Sequence, residues 1–222
     1  MCPDTQIDSL ERQRLEMVGA QLRDRGISDT RVLDAMQRVP RHEFVAGEFR
    51  AQAYEDHPIP IGEGQTVSQP FMVALTLQAA AIQPSDVVLE IGTGSGYQSA
   101  ILAELAREVY SVERIPALAS SAQATLSRLG YSNLTVAVGD GSEGLPERAP
   151  FDVIVVSAAA PGIPPALLAQ LAEQGRLIIP VGPAAAQELK RIRKQRGHPV
   201  VETLVGCRFV PLIGTQGYAS GW

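Results

Sequence analysis

The segment that most constrains this chain runs from Val87 to Tyr97, where an apolar stretch carrying Glu90 leads directly into glycines at 92, 94 and 96. It predicts a buried strand, a tight turn and the start of a helix. The turn needs residues without a Cβ, because its backbone either adopts unusual φ/ψ or presses against a bound molecule. A dinucleotide fingerprint would place its third glycine at 97, so that the helix could pack closely while its amides hold a pyrophosphate. Position 97 is Tyr, which argues against a nicotinamide enzyme.

From residue 86 onward, strand-like runs alternate with helical ones. Strands are expected at 87–91, 109–112, 134–138, 151–156 and 176–180, with helices at 98–106, 116–129 and 164–171. This rhythm specifies a mostly parallel, doubly wound sheet buried on both faces. Runs at 188–193 and 200–213 flank the turn Gln195-Arg196-Gly197-His198, which predicts an antiparallel hairpin added to the sheet. Residues 7–50 look helical. Ser28 or Thr30 can cap a helix carrying Val32, Leu33, Met36 and Val39, and Gly26 closes the helix before it. Residues 54–68 hold two prolines and two glycines, so an irregular loop is expected there. A helix over 69–81 follows, with Ser68 as its cap. The chain thus divides into N-terminal helices and a loop (1–82) packed on a Rossmann-like core (83–222), together one compact domain.

The 222 residues are 45% hydrophobic and carry a net charge of −5, enough for a proper core and no field to attract a polyanion. Nucleic acid is therefore disfavoured as a partner. The basic run Lys190, Arg191, Arg193, Lys194 and Arg196 reads as a solvated hairpin that protects a sheet edge. Cys2 and Cys207 make no disulfide framework, which suits a reducing compartment. No window approaches the roughly 18 apolar residues of a membrane span, and Met1 to Leu10 carries no basic segment followed by an apolar block. A cytoplasmic monomer is expected. His42, His57 and His198 are scattered without metal-ligand spacing, so no metal is expected.

In a doubly wound sheet, ligands bind beyond the carboxyl ends of the strands. Glu113 follows the second strand at the distance where a carboxylate commonly grips ribose hydroxyls. Asp140, beside Gly139 and Gly141, follows the third and can meet an adenine amino group. Either acid alone also reads as an ordinary solvated loop residue. Ser68 by itself reads as a helix cap, a role compatible with receiving a carboxylate at the helix N-terminus.

The E-x-G-x-G-x-G pattern of Glu90, Gly92, Gly94 and Gly96 resembles the first motif of S-adenosylmethionine-dependent methyltransferases with a Rossmann-like fold. Their donor has no phosphate, and the acid Glu90 suits its cationic methionine end. Gly64 to Pro70, Val88 to Gln98, Phe151 to Val155 followed by Ala158 to Pro161, and Arg208 to Leu212 together resemble the protein-L-isoaspartate (D-aspartate) O-methyltransferase family. The likeness runs from about residue 10 to residue 214, with Val67 where the family often has Ile.

It implies methyl transfer from S-adenosyl-L-methionine to the free α-carboxylate of L-isoaspartyl, and also D-aspartyl, residues in damaged proteins and peptides. The ester then allows repair through a succinimide, and the co-product is S-adenosyl-L-homocysteine. The likeness also implies Ser68 as the active-site residue, with Gln65, Thr66, Val67, Ser68, Glu90, Gly92, Gly94, Gly96, Glu113, Asp140 and Gly141 around the cofactor. Arg208, Phe209, Val210 and Pro211 would bind substrate, as a strand over 208–212 offering its edge to an extended peptide. The cofactor half alone leaves open a methyltransferase for a small molecule or another protein carboxylate, and a non-catalytic cofactor-binding adaptor.

Overall fold

The computed structural model describes residues 9–219. Cys2 and the N-terminal residues through Asp8 lie outside the described residues, as does the end of the chain from residue 220. The N-terminal region comprises α1 (Ser9–Glu16), a π-helical stretch (Met17–Leu22), a short 3-10 turn closed by Gly26 at φ +97°, and α2 (Thr30–Arg38). Short 3-10 segments follow at Arg41–Phe44 and Gly47–Gln52. The cap of α2 is Asp29, not Ser28 or Thr30. Its carboxylate accepts from the N–H groups of Arg31 and Val32, while the Ser28 N–H donates to Gln78. A third capping residue between the two expected ones won because a carboxylate satisfies two free amides at once.

Residues 54–68 are not an irregular loop. They contain an antiparallel pair, β1 (Ile59–Gly62) and β2 (Gln65–Val67), in which Ile59 faces Val67 and Pro60 faces Thr66. The glycines fall where the chain reverses: Gly62, Glu63 and Gly64 all have positive φ. Pro60 is tolerated because a two-stranded ribbon consists only of edges.

Next come α3 (Pro70–Ala80), β3 (Val87–Ile91), α4 (Tyr97–Leu105), β4 (Glu108–Glu113), α5 (Pro116–Arg128), β5 (Leu134–Val138), β6 (Phe151–Val156), α6 (Pro165–Gln170), β7 (Leu171–Val181), β8 (Gln187–Gln195) and β9 (His198–Cys207). The strands form one sheet in the order β5-β4-β3-β6-β7-β8-β9. It is parallel from β5 to β7 and antiparallel from there outward. The chain leaves β3 in one direction for β4 and β5, then crosses to β6 on the other side. This places the switch point between β3 and β6, where a crevice opens at the strands' carboxyl ends.

Alternation along each strand divides the core in two. Val88, Val109, Val153 and Val155 face one side, where they share a core with Leu22, Met36, Tyr54, Leu77 and Ile101 from the N-terminal region, α3 and α4. Leu89, Ile91, Ile154 and Ile179 face the other side, with Leu167 and Leu171. Helix α2 and the 3-10 segments therefore cover one face of the sheet, which brings residues 41–68 near the glycine turn.

The strand expected over 208–212 is absent. Ordered pairing ends at Cys207, and the chain then crosses the sheet end as an extended strap bonded to the segment after β6. Its backbone is already engaged. Gln187, buried beneath it, accepts from the Phe209 N–H at 2.6 Å and donates to the Phe209 carbonyl at 3.1 Å. Ala159 exchanges two further bonds with Val210 and Leu212.

Candidate active site

A cleft opens beyond β3, β4 and β6, walled by three parts of the chain. The first is the glycine turn with Tyr97 and Gln98. The second is the hairpin segment Gln65, Thr66, Val67 and Ser68. The third is the strap Val210 to Ile213, and the floor comes from Glu113, Arg114, Gly141 and Ser157.

The turn has the geometry its glycines predict, with φ of +91°, +55° and +88° at Gly92, Gly94 and Gly96. Each conformation is costly for a residue with a Cβ. The three glycines do different work, however. Gly92 and Gly94 line the cleft, whereas Gly96 does not. A Cβ on Gly96 would stand 3.2 Å from Leu126 and 3.3 Å from Ala122, so its smallness lets α5 pack closely against the start of α4. Gly141 is similarly constrained: a Cβ there would lie 2.4 Å from Ile91.

Glu113 is only 6% exposed and borders the cleft. Its carboxylate accepts from the Gly94 N–H and the Ile115 N–H, each at 2.9 Å. Glu90 does not face the cleft. It is 0% exposed, on the α4 side of the sheet behind the turn, and accepts from Gln98 at 3.0 Å, Ser111 at 2.7 Å and Ser99. Even-numbered residues of β3 point towards α4, so Glu90 lies under the helix and not in the cleft wall. Burial pushes its carboxyl up to about 7 against the opposing effect of these three donors. Gln98, which borders the cleft, also donates to Ser157 at 2.8 Å.

Ser68 borders the cleft beside β2 but is not the cap of α3. Gln69 occupies the N-cap position but its side chain makes no capping bond to the helix, and the Phe71 N–H instead donates at 3.1 Å to the carboxylate of Asp56, across the hairpin. Asp56 also accepts from the Gln69 side chain at 2.7 Å and pairs with Arg25. A remote acid thus supplies the capping function, and the Ser68 hydroxyl is not consumed by the helix.

Asp140 stands outside the cleft wall. One of its oxygens accepts from the N–H and hydroxyl of Ser142, and the other from the N–H and hydroxyl of Thr215. Partial burial works against it, but these bonds hold its carboxyl below the usual range. The tail after the strap is therefore fastened to the loop after β5. Arg208 and Phe209 likewise lie outside the wall, whereas Val210 and Pro211 are part of it. The structure thus gathers Gln65, Thr66, Val67, Ser68, Gly92, Gly94, Glu113, Gly141, Val210 and Pro211, and leaves Glu90, Gly96, Asp140, Arg208 and Phe209 at the periphery.

Arg114, Ile115, Gln98, Ser157 and Ile213 also border the cleft, unforeseen from sequence, and so does Leu212, the last residue of the expected 208–212 strand. Position immediately after a strand was the available signal for Arg114 and Ser157. The residues around the turn fit a nucleoside-bearing ligand without phosphate: a Cβ-free backbone, a carboxylate at the end of β4 and apolar walls. Among the described residues no cluster of three or more His, Cys, Asp or Glu could hold a metal, and no helix is long and apolar enough to cross a membrane.

The family described as Protein-L-isoaspartate(D-aspartate) O-methyltransferase matches residues 13–217. A protein-L-isoaspartate O-methyltransferase of Koribacter versatilis (strain Ellin345) is 54% identical over 217 residues, covering 98% of this chain and 97% of that protein. One of Methanoculleus marisnigri (strain ATCC 35101 / DSM 1498 / JR1) is 52% identical over 95% of this chain and 96% of its own length. Among solved structures, a protein-L-isoaspartate O-methyltransferase superposes with a TM-score of 0.83 at 29% identity, over 93% of this chain and 67% of its own. A second, a putative enzyme of this kind from Plasmodium falciparum in complex with S-adenosyl-L-homocysteine, gives 0.79 at 27% identity, over 90% and 98%.

Proposed function

The chain belongs to the protein-L-isoaspartate(D-aspartate) O-methyltransferase family, and from that premise we propose how its cleft divides the work of the reaction. The enzyme transfers a methyl group from S-adenosyl-L-methionine to isoaspartyl residues of proteins and peptides. The observation that carries the assignment of roles is that Gln65 to Ser68 and the Gly92–Gly94 turn border one and the same cleft.

S-adenosyl-L-methionine supplies an electrophilic methyl on a sulfonium, and the residues that would hold it are Gly92, Gly94, Glu113, Gly141 and the Gln65 to Val67 strand. Glu113 offers a carboxylate to sugar hydroxyls while staying fixed by Gly94 and Ile115. Ser68 orients the acceptor carboxylate and forms no covalent bond. That carboxylate, the free α-carboxylate left when a succinimide reopens through its β-carbonyl, has an unperturbed pKa near about 3.5–4 and is ionised at neutral pH. It needs no general base, consistent with a cleft bordered by neither His nor a His–carboxylate pair.

Catalysis is then chiefly alignment, which can supply on the order of 7–11 kcal/mol when two reactants are held in line. The apolar strap residues Val210, Pro211 and Leu212 shield the reacting centre from water. Because the strap's backbone is engaged by Gln187 and Ala159, substrate contact from Arg208 to Pro211 is made by side chains, not by strand addition. D-aspartyl residues are included as acceptors. Residues 1–82 and 83–222 act as one domain, in a cytoplasmic monomer.

Transfer of tritiated methyl to one peptide in its isoaspartyl and its normal aspartyl form tests this reading. Labelling confined to the isoaspartyl form is expected; equal labelling of both would overturn it.

A further inference from the structure

Arg41 is 0% exposed, and among the described residues no carboxylate comes within ion-pair distance of it. It lies in the 3-10 turn after Pro40, from which its side chain passes under the hairpin. Nε donates to the Ala53 carbonyl at 2.8 Å and Nη2 to the Ser68 carbonyl at 2.9 Å. These two carbonyls mark the beginning and end of the segment containing β1 and β2, so one guanidinium closes its neck. The guanidinium also sits 4.7 Å from the centre of the Tyr97 ring, a cation–π contact with the first residue of α4. Tyr97 is itself part of the cleft wall.

Such a placement is expensive. Burial disfavours the charged form of Arg41 more than Tyr97, Tyr54 and Asp56 favour it, and its Nη1 has no well-aligned hydrogen-bond acceptor among the described residues. An apolar side chain of similar volume would fill the space without that penalty. What it could not do is grip both ends of the hairpin and the start of α4 at once. Arginine's rigid planar fork is suited to this kind of bridging, whereas lysine offers only a point charge.

We infer that Arg41 is a positioning residue that sets the register between the acceptor side of the cleft, at Ser68, and the methyl-donor side, at the glycine turn and Tyr97. It touches neither reactant. It holds the Ser68 main chain at a fixed distance from α4, so that the Ser68 hydroxyl is aimed at the acceptor carboxylate. In-line transfer makes this register matter, because a displacement of about 1 Å can cost about a hundredfold in rate. The inference rests on the reading that Ser68 orients the acceptor.

The test is a double-mutant cycle between Arg41→Lys and Ser68→Ala, with kcat for an isoaspartyl peptide and the Kd of S-adenosyl-L-homocysteine measured for each variant. Arg41→Lys is expected to lower kcat at least tenfold when Ser68 is present and less than twofold when it is Ala, with Kd within threefold throughout. Should the lysine variant not fold, Arg41→Met, which removes the buried charge, takes its place in the same cycle. Equal losses in both backgrounds, no loss in either, or loss of S-adenosyl-L-homocysteine binding in both Arg41 variants would overturn the inference. Wild-type kcat in Ser68→Ala alone would instead overturn the reading of Ser68.

Discussion

The main-chain N–H of Gly94 donates to Glu113 Oε2 at 2.9 Å, tying the acid that ends β4 to the middle of the turn that follows β3. The two strands are neighbours in the sheet, so their ends meet wherever parallel pairing brings them level. The bond fixes the floor of the cleft, and Ile115 holds the second oxygen.

Glu113→Gln would present one oxygen and one NH2 group to two N–H donors, leaving a poorly exposed amide facing another donor. Calorimetry should show S-adenosyl-L-homocysteine bound about tenfold to a hundredfold more weakly, a loss of about 1.4–2.8 kcal/mol. Unchanged affinity would remove Glu113 from the cofactor site.

Ser68→Ala should lower kcat for isoaspartyl peptide at least tenfold while keeping S-adenosyl-L-homocysteine affinity within threefold. Because Ser68 does not cap α3, its loss should change stability by less than about 0.5 kcal/mol. A large fall in melting temperature would show that the hydroxyl serves the fold after all.

Asp56→Ala removes the acceptor for the Phe71 N–H and the Gln69 side chain. Loss of a cap costs about 1–2 kcal/mol, which for a chain of this size lowers Tm by roughly 2–8 °C. Differential scanning calorimetry reads the shift directly.

Glu90 gives the stability a pH signature. Its folded carboxyl titrates at about 7, above the ordinary 4.5, so between these values the folded protein holds a proton that the unfolded chain releases. Its contribution is fully present below the unfolded value and is lost as pH rises through about 7. Glu90→Gln cannot ionise, so the unfolding free energy of wild type minus that of the variant should fall by at least about 1 kcal/mol between pH 5 and pH 8. Urea titrations across that range would show it, and a constant difference would refute it.

Arg208→Ala and Phe209→Ala should raise the KM for isoaspartyl peptide several-fold without altering S-adenosyl-L-homocysteine affinity, since both residues stand outside the cleft wall. An unchanged KM in both would confine substrate contact to Val210 and Pro211.

Within the sequence, β3 and its glycine turn were legible because the signal is local: a continuous apolar run sets a strand buried on both faces, and positive φ demands glycine at 92, 94 and 96. The mostly parallel sheet and the C-terminal hairpin followed from the spacing of the runs, whereas the strand order came from the structure. Capping was misread twice, at Ser28 or Thr30 and at Ser68, for different reasons. At α2 a neighbouring carboxylate was simply the better acceptor, whereas at α3 the acceptor arrived from Asp56, a residue no local window connects to Phe71. The same distance effect hid the engagement of Phe209 by Gln187 and of Asp140 by Thr215.

The sequence by itself determined the parallel sheet, the glycine turn and the family, because each is written in contiguous residues whose backbone geometry or burial leaves few alternatives. Only the tertiary structure decided which side of β3 receives Glu90, what occupies both oxygens of Asp140, and that a buried Arg41 joins Ser68 to Tyr97. Those outcomes depend on hydrogen bonds and packing between segments far apart in the chain, where the partner that wins is chosen by burial and reach.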